Sequence, residues 1–217
     1  MAAFDLEEQE QISQIKGWWE QFGTLVTGAA VAAALASVGW QGWQWYQGKQ
    51  TAEASALYAV LQKAASEKNT QKSREAAGAL IEKYNGTAYA DMAALLSAKV
   101  QAEAGDLKNA RVPLAWAATK ASDPALRELA RLRLATVLLD DKAYDEALAQ
   151  LQAPTDESLV ARFADLKGDI LLAQGKREEA RAAYKAVVTA LETTTKSESA
   201  ALREIAQAKL DAVGGAQ

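Results

Sequence analysis

Carboxylates are the plentiful reactive side chains in this sequence: Asp and Glu number 28, whereas histidine and cysteine are absent. Without them there is no thiol nucleophile, no disulfide and no serine–histidine couple, and the usual ligands of structural zinc are missing. Acid–base work by carboxylates alone needs two of them held in a pocket with divergent environments. The adjacent pairs Asp140-Asp141 and Glu178-Glu179 do not meet that need, because neighbours on a helix point about 100° apart. They suit turns and solvated helix faces. The residue types therefore point to a non-enzymatic chain with no cofactor and no metal. Lack of cysteine fits an oxidising compartment but does not select one.

Charge is unevenly placed. Residues 1–20 hold Asp5, Glu7, Glu8, Glu10 and Glu20 against Lys16, a net of −4 that equals the formal charge of the whole chain. The remaining acidic and basic residues cancel. A nucleic-acid partner needs a basic surface that displaces counterions from phosphates, and no strongly basic segment is present. Nucleic acid is set aside as a partner.

What must position these residues is helical. From Gln21 to Gly48 no residue is charged, and Leu25 to Val38 is almost entirely Ala, Val, Leu and other small residues. About 20 helical residues cross a hydrocarbon core of about 30 Å, which Phe22 to Gln41 supplies. Trp18, Trp19 and Phe22 stand at one end, and Trp40, Trp43, Trp45 and Tyr46 at the other. Such rings favour the lipid headgroup zone, being apolar yet carrying an N–H or O–H in need of a partner. An unbroken helix rises roughly 36 Å between Trp19 and Trp43, close to the separation of the two interfacial zones. Membrane lipid is thus one expected partner. Ala34-Leu35-Ala36 before Ser37 has the form of a signal cleavage site, but a signal begins with a basic region and this leader is acidic. A retained anchor is the reading; a mature N-terminus at Ser37 would exclude it. Thr24, Gly28, Ala32 and Ala36 recur every four residues, a stripe that lets another membrane helix approach closely. The flanking basic residues, Lys16 before and Lys49 and Lys63 after, lean slightly towards a cytoplasmic C-terminal side and do not set the orientation.

Beyond Gly48 the pattern is helix after helix with short polar or glycine-bearing turns and no alternating β-branched run. Leu57, Val60, Leu61 and Ala64 fall at the three-and-four spacing of one helix face. Three segments recur: Gly105-Asp106-Leu107-Lys108-Asn109-Ala110, Lys142-Ala143-Tyr144-Asp145-Glu146-Ala147 and Gly175-Lys176-Arg177-Glu178-Glu179-Ala180. Their spacing is close to the tetratricopeptide period of about 34 residues, and one such step back from Ala110 reaches Ala76 as a degenerate fourth copy. Seven residues before each turn stands Ala98, Ala135 or Gly168. Antiparallel helices approach closely only where small residues meet, so these three and Ala110, Ala147 and Ala180 are the expected packing positions. Leu114, Leu151 and Tyr184 supply the larger contact.

Pro113 lies about one turn into a second helix, where it costs about 3 kcal/mol; either Asn109 caps a helix that starts late or that helix is kinked. Pro124 and Pro154 fall in loop-like stretches. The last helical stretch, about Ser199 to Val213, is expected to cap the solenoid. The expected layout is an all-α chain: residues 1–20 an acidic tail, 21–48 an anchor, and 49–217 a tetratricopeptide-like solenoid. Domains of that kind generally bind along the concave surface of their first helices. That likeness, rather than periodicity, selects Lys99, Glu103, Thr136, Leu139, Arg162, Asp165 and Asp169 as candidate partner-binding residues.

The order of acidic tail, anchor ending in Gly39-Trp40-Gln41-Gly42-Trp43, and short repeat domain resembles the YfgM family of ancillary translocon proteins. The strongest local match is Ala164-Asp165-Leu166-Lys167-Gly168-Asp169-Ile170-Leu171-Leu172-Ala173-Gln174-Gly175, supported by Leu132-Arg133-Leu134-Ala135 and Tyr144-Asp145-Glu146-Ala147-Leu148. The resemblance implies a single-pass protein of a Gram-negative inner membrane, with the N-terminus cytoplasmic and the repeats periplasmic. It implies partners too: the SecYEG translocon, a PpiD-like periplasmic chaperone and exported client proteins. An alternative use of the same parts is a scaffold for cell-envelope assembly or cell division.

Overall fold

The computed structural model describes residues 2–192 and 197–214, with side chains described for 11–192 and 200–214. The acidic side chains Asp5, Glu7, Glu8 and Glu10, that of Ser199, and Gly215 lie outside these. The regular structure of the described residues is all helix: α1 (Ala2–Ser66), α2 (Thr70–Lys83), α3 (Ala88–Glu103), α4 (Leu107–Lys120), α5 (Pro124–Asp140), α6 (Tyr144–Gln150), α7 (Glu157–Ala173), α8 (Arg177–Leu191) and α9 (Ser197–Gly214). It divides into two compact units, Met1–Gln50 and Thr51–Gln217.

In the first unit the described residues 2–50 form one continuous helix, and the side chains described there are exposed except at Gly23, beneath the Trp19 indole, and the half-buried Gln50. Leu25, Leu35 and Val38 are each about 70% exposed. A helix that is apolar all round and uncovered by protein needs another apolar medium. Among the described residues Gln11–Ser66 holds the helix long and apolar enough to cross a membrane. Glycines 28, 39 and 42 lower helix propensity by about 1 kcal/mol each in water; in hydrocarbon the helix keeps its hydrogen bonds because there is no water to take them.

The second unit is built from helical hairpins. The end of α1 places Ala54, Leu57, Tyr58 and Leu61 against Ala76, Ala77 and Leu80 of α2 and Ala93 of α3. Then α3 pairs with α4, α5 with α6, and α7 with α8, while α5 also meets both α3 and α7. Each hairpin reverses at a left-handed residue: Lys68, Gly105, Lys142 and Gly175, with φ of 53°, 78°, 61° and 80°. After each, the next amide closes onto a carbonyl five residues back: Asn69 to Ala64, Asp106 to Gln101, Ala143 to Leu138 and Lys176 to Leu171. This is the Schellman ending, which satisfies the last carbonyls of a helix.

The four turns place the degenerate first copy in a different register from that of the sequence reading. Aligned on Lys68, the counterpart of Ala110 is Ser73 rather than Ala76, and the counterparts of Ala98 and Leu114 are Leu61 and Ala77. All of these are buried. The bulky residue has moved from the second helix to the first and the small one the other way, so the interface keeps its volume while its pattern inverts. A search for small residues on the first helix misses that exchange.

Asn109 does not cap a late-starting helix ahead of Pro113: α4 starts at Leu107, and its cap is Asp106. The Asp106 carboxylate accepts from the Asn109 backbone N–H at 3.2 Å and from its side-chain amide at 2.7 Å. Asn109 thus buttresses the cap. Pro113 lies inside the helix and is buried. Pro124 opens α5 as its first residue behind the Asp123 cap, the position where a missing N–H costs least. Only Pro154 remains in a loop.

Candidate partner-binding surface

The six packing positions are all buried: Ala98, Ala110, Ala135, Ala147 and Ala180 as alanines of the core, and Gly168 under an aromatic ring. At Gly168 a Cβ would stand 2.6 Å from Cδ1 and 2.9 Å from Cζ of Tyr184. Tyr184 is itself fully buried, and its hydroxyl donates to Asp169 at 2.8 Å. Leu114 is buried and Leu151 partly so.

Helix α5 lies against both α3 and α7, so the seven candidate binding residues fall on three neighbouring helices. Lys99 and Glu103 are exposed on α3, 3.7 Å apart as an i,i+4 pair. Thr136 is exposed on α5, its hydroxyl donating to the Leu132 carbonyl, whereas Leu139 packs partly buried on the central core. Arg162 is exposed on α7. Asp165 and Asp169 are not open to solvent in the same way, because Lys209 of α9 reaches both. Its Nζ lies 2.9 Å from Asp165 Oδ1 and 2.7 Å from Asp169 Oδ1, and 5.4 Å from the centre of the Tyr184 ring. Burial alone would lower the Lys209 pKa; its bonds and charge attraction to the two aspartates outweigh that and hold it raised. Burial, then the bond to Asp169, pushes the Tyr184 hydroxyl well above the usual phenol range. Both groups keep their protons at neutral pH, so the cluster is a fixed cation–anion contact and not a proton-transfer device.

In the anchor, Trp18 stacks near Trp19 and Phe22 with ring centres 6.4 and 5.7 Å away, and Trp40 near Trp43 at 5.4 Å. Trp45 carries Lys49 at 5.9 Å from its ring, and Tyr46 accepts from Gln50 at 2.8 Å. Thr24, Gly28, Ala32 and Ala36 are exposed, and nothing lies within 4 Å of where a Gly28 Cβ would be.

A sequence profile described as Tetratricopeptide repeat-like domain matches residues 16–215. Curated relatives named Ancillary SecYEG translocon subunit are similar over most of the chain. That of Neisseria gonorrhoeae is 30% identical over 212 residues, covering 97% of this chain and 99% of the relative. That of Haemophilus influenzae is 32% identical over 187 residues, covering 84% and 89%, and that of Escherichia coli 33% over 114 residues, covering 52% and 55%. The chain belongs to the ancillary SecYEG translocon subunit family. No solved structure matches it at a significant level.

In this member of the ancillary translocon subunits, several polar residues that the sequence reading passed over join the repeats. Buried Glu128 on α5 accepts from the Thr155 N–H at 2.7 Å, the Thr155 hydroxyl at 2.6 Å and the Asp156 N–H at 3.1 Å. The Thr155 bonds hold its pKa below the usual range despite burial. Asp91, 37 residues earlier on α3, accepts from Ser122 N–H at 2.9 Å, but burial raises its pKa. The two acids fasten the loop that enters the next repeat, and their separation equals that between Ala110 and Ala147. That shared period was the legible signal. Arg131 donates to the carbonyls of Gln150 and Gln152 over the Phe163 ring, and Arg111 pairs with Asp141 and Glu146 at 2.8 and 2.7 Å. Among the described residues no cluster able to hold a metal is formed.

Proposed function

We propose that this chain is a non-enzymatic, membrane-tethered interaction module that works beside the Sec translocon and helps pass exported proteins to periplasmic chaperones, among them a PpiD-like partner. The observation that carries the reading is the near full-length similarity to ancillary SecYEG translocon subunits, joined to an apolar helix able to cross a membrane and followed by tetratricopeptide-like repeats. The helix is placed in the inner membrane with the N-terminus cytoplasmic and the repeats periplasmic. Its aromatic girdles sit at the lipid headgroups, and its stripe from Thr24 to Ala36 meets a membrane partner. Lys99, Glu103, Thr136, Leu139 and Arg162 face the client or chaperone.

The mechanism is confinement. A module held in the membrane next to the channel sees emerging chains at an effective concentration far above their bulk value, so a weak surface is occupied productively. Site-specific photo-cross-linking from Arg162 and Thr136 in intact membranes is expected to trap channel subunits, chaperone or exporting chains. Recovery of division or wall-synthesis proteins instead would replace this reading with that of an envelope scaffold. Protease added to spheroplasts is expected to digest the repeats; full protection would place them in the cytoplasm and sink the proposal.

A further inference from the structure

Helix α9 covers the last hairpin, packing mainly on α8. The joints between the hairpins before it set polar ties beside a fully buried apolar seam: Ala117, Ala121 and Ala130 are all buried where α4 meets α5. On α9 Ala206 alone is fully buried among the described residues; Leu202, Leu210 and Val213 are partly covered, and Ile205 is 52% exposed. What α9 adds is a cation delivered to α7. Lys209 Nζ donates to Asp165 Oδ1 and Oδ2 at 2.9 and 3.0 Å and to Asp169 Oδ2 at 2.9 Å, above the Tyr184 ring. Four carboxylate oxygens converge on one atom, a cage for the compact charge of an ammonium rather than the flat fork of a guanidinium.

We propose that α9 is a built-in occupant of a binding surface on the last repeat, and that it exchanges with a helical partner segment presenting a lysine among small aliphatic residues. The occupant is argued from α9 itself, whose Leu202, Ala206, Lys209 and Leu210 show the spacing that the surface accepts. A partly exposed ionic latch is weaker and more easily exchanged than a buried apolar seam, because water and a competing cation can replace each partner in turn. Being attached to the same chain, α9 wins against a weak or dilute competitor and yields to one supplied at high local concentration. This rests on the proposed function in taking the repeats as a partner-binding surface, and adds which repeat is gated and by what chemistry.

The probe is a fluorescein-labelled peptide of residues 200–214 of this chain, titrated by anisotropy into the full-length protein in detergent micelles. Lys209→Met in the protein loosens the latch, and the peptide is expected to bind it about tenfold more tightly than it binds the parent protein. The same peptide carrying Lys209→Met is expected to show no such gain, and Asp165→Asn/Asp169→Asn protein to lose the preference for lysine. Equal affinity of both peptides for all proteins overturns the proposal. Hydrogen exchange on the unsubstituted protein keeps the test valid should a variant not fold: α9 amides are expected to exchange before those of α5 and α7, and faster still with excess peptide. Exchange of α9 only together with α5 and α7 refutes the latch. None of these readouts involves the translocon, so the peptide exchange and the cross-linking can fail independently.

Discussion

Gly168→Ala tests the packing argument most directly, because an otherwise helix-favouring change meets a ring that has nowhere to go. The added methyl would lie 2.6 Å from Cδ1 and 2.9 Å from Cζ of Tyr184, against about 3.5–4.0 Å for relaxed carbon contacts. The ring must retreat by roughly 1 Å. It is fully buried, and its hydroxyl is held by Asp169, so retreat also disturbs the Lys209 contact. Overpacking of this severity costs about 3 kcal/mol. Replacing glycine inside a helix returns about 1 kcal/mol, leaving a net loss of about 2 kcal/mol and a Tm lower by roughly 4–8 °C. Gly78, inside α2 with nothing within 4 Å of its missing Cβ, is the matched control: Gly78→Ala is expected to stabilise by up to about 1 kcal/mol. Thermal unfolding of the full-length protein in micelles, followed by far-UV circular dichroism, reads both. In a Tyr184→Leu background Gly168→Ala should change sign and stabilise. Should Gly168→Ala match or exceed Gly78→Ala in the parent background, the close-approach reasoning is wrong.

Three further outcomes are expected. Glu128→Gln weakens the loop entering α7 by about 1–3 kcal/mol at pH 7. The folded pKa of Glu128 lies below the usual range, so its charge stabilises the fold above about pH 4 and that contribution disappears as pH falls through the folded value. Urea midpoints of variant and parent should therefore draw together as pH falls through the folded value. Lys142→Gly, which relieves a side chain from a φ of 61°, should raise the urea midpoint by an amount worth up to about 1 kcal/mol; Lys108→Gly, inside α4, should lower it. Gly28→Leu with Ala32→Leu should leave unfolding of the repeats unchanged and reduce co-purification of a membrane partner, and unaltered recovery would remove the stripe as a docking face.

The helical class and the recurrence of hairpins were legible because both rest on local rules. Apolar spacing, alanine content and turn residues act within a few positions of the chain, and Gly105, Lys142 and Gly175 stand at the left-handed positions that those rules require. Less was visible where one copy exchanged volume with its neighbour. Leu61 opposite Ser73 and Ala77 preserves the sum of two side chains, and a sum across two helices leaves no trace in either helix alone. Asp106 and Asn109 are both good capping residue types one turn apart, and only the bonds show that Asp106 caps while Asn109 supports it from inside the helix.

The candidate surface divides along the same line. Sequence by itself determined the apolar helix with its aromatic ends, since length and hydropathy need no partner within the chain, and it determined which helices of the repeats come first in each pair. Only the tertiary structure decided what those first helices still have to offer. Asp165 and Asp169 carry the same charge whether solvated or paired; their pairing depends on Lys209, 44 and 40 residues away. Ionic contacts at that separation follow no period, because a long flexible lysine can reach several positions and the packing of Ala206 and Leu210 fixes which one it reaches.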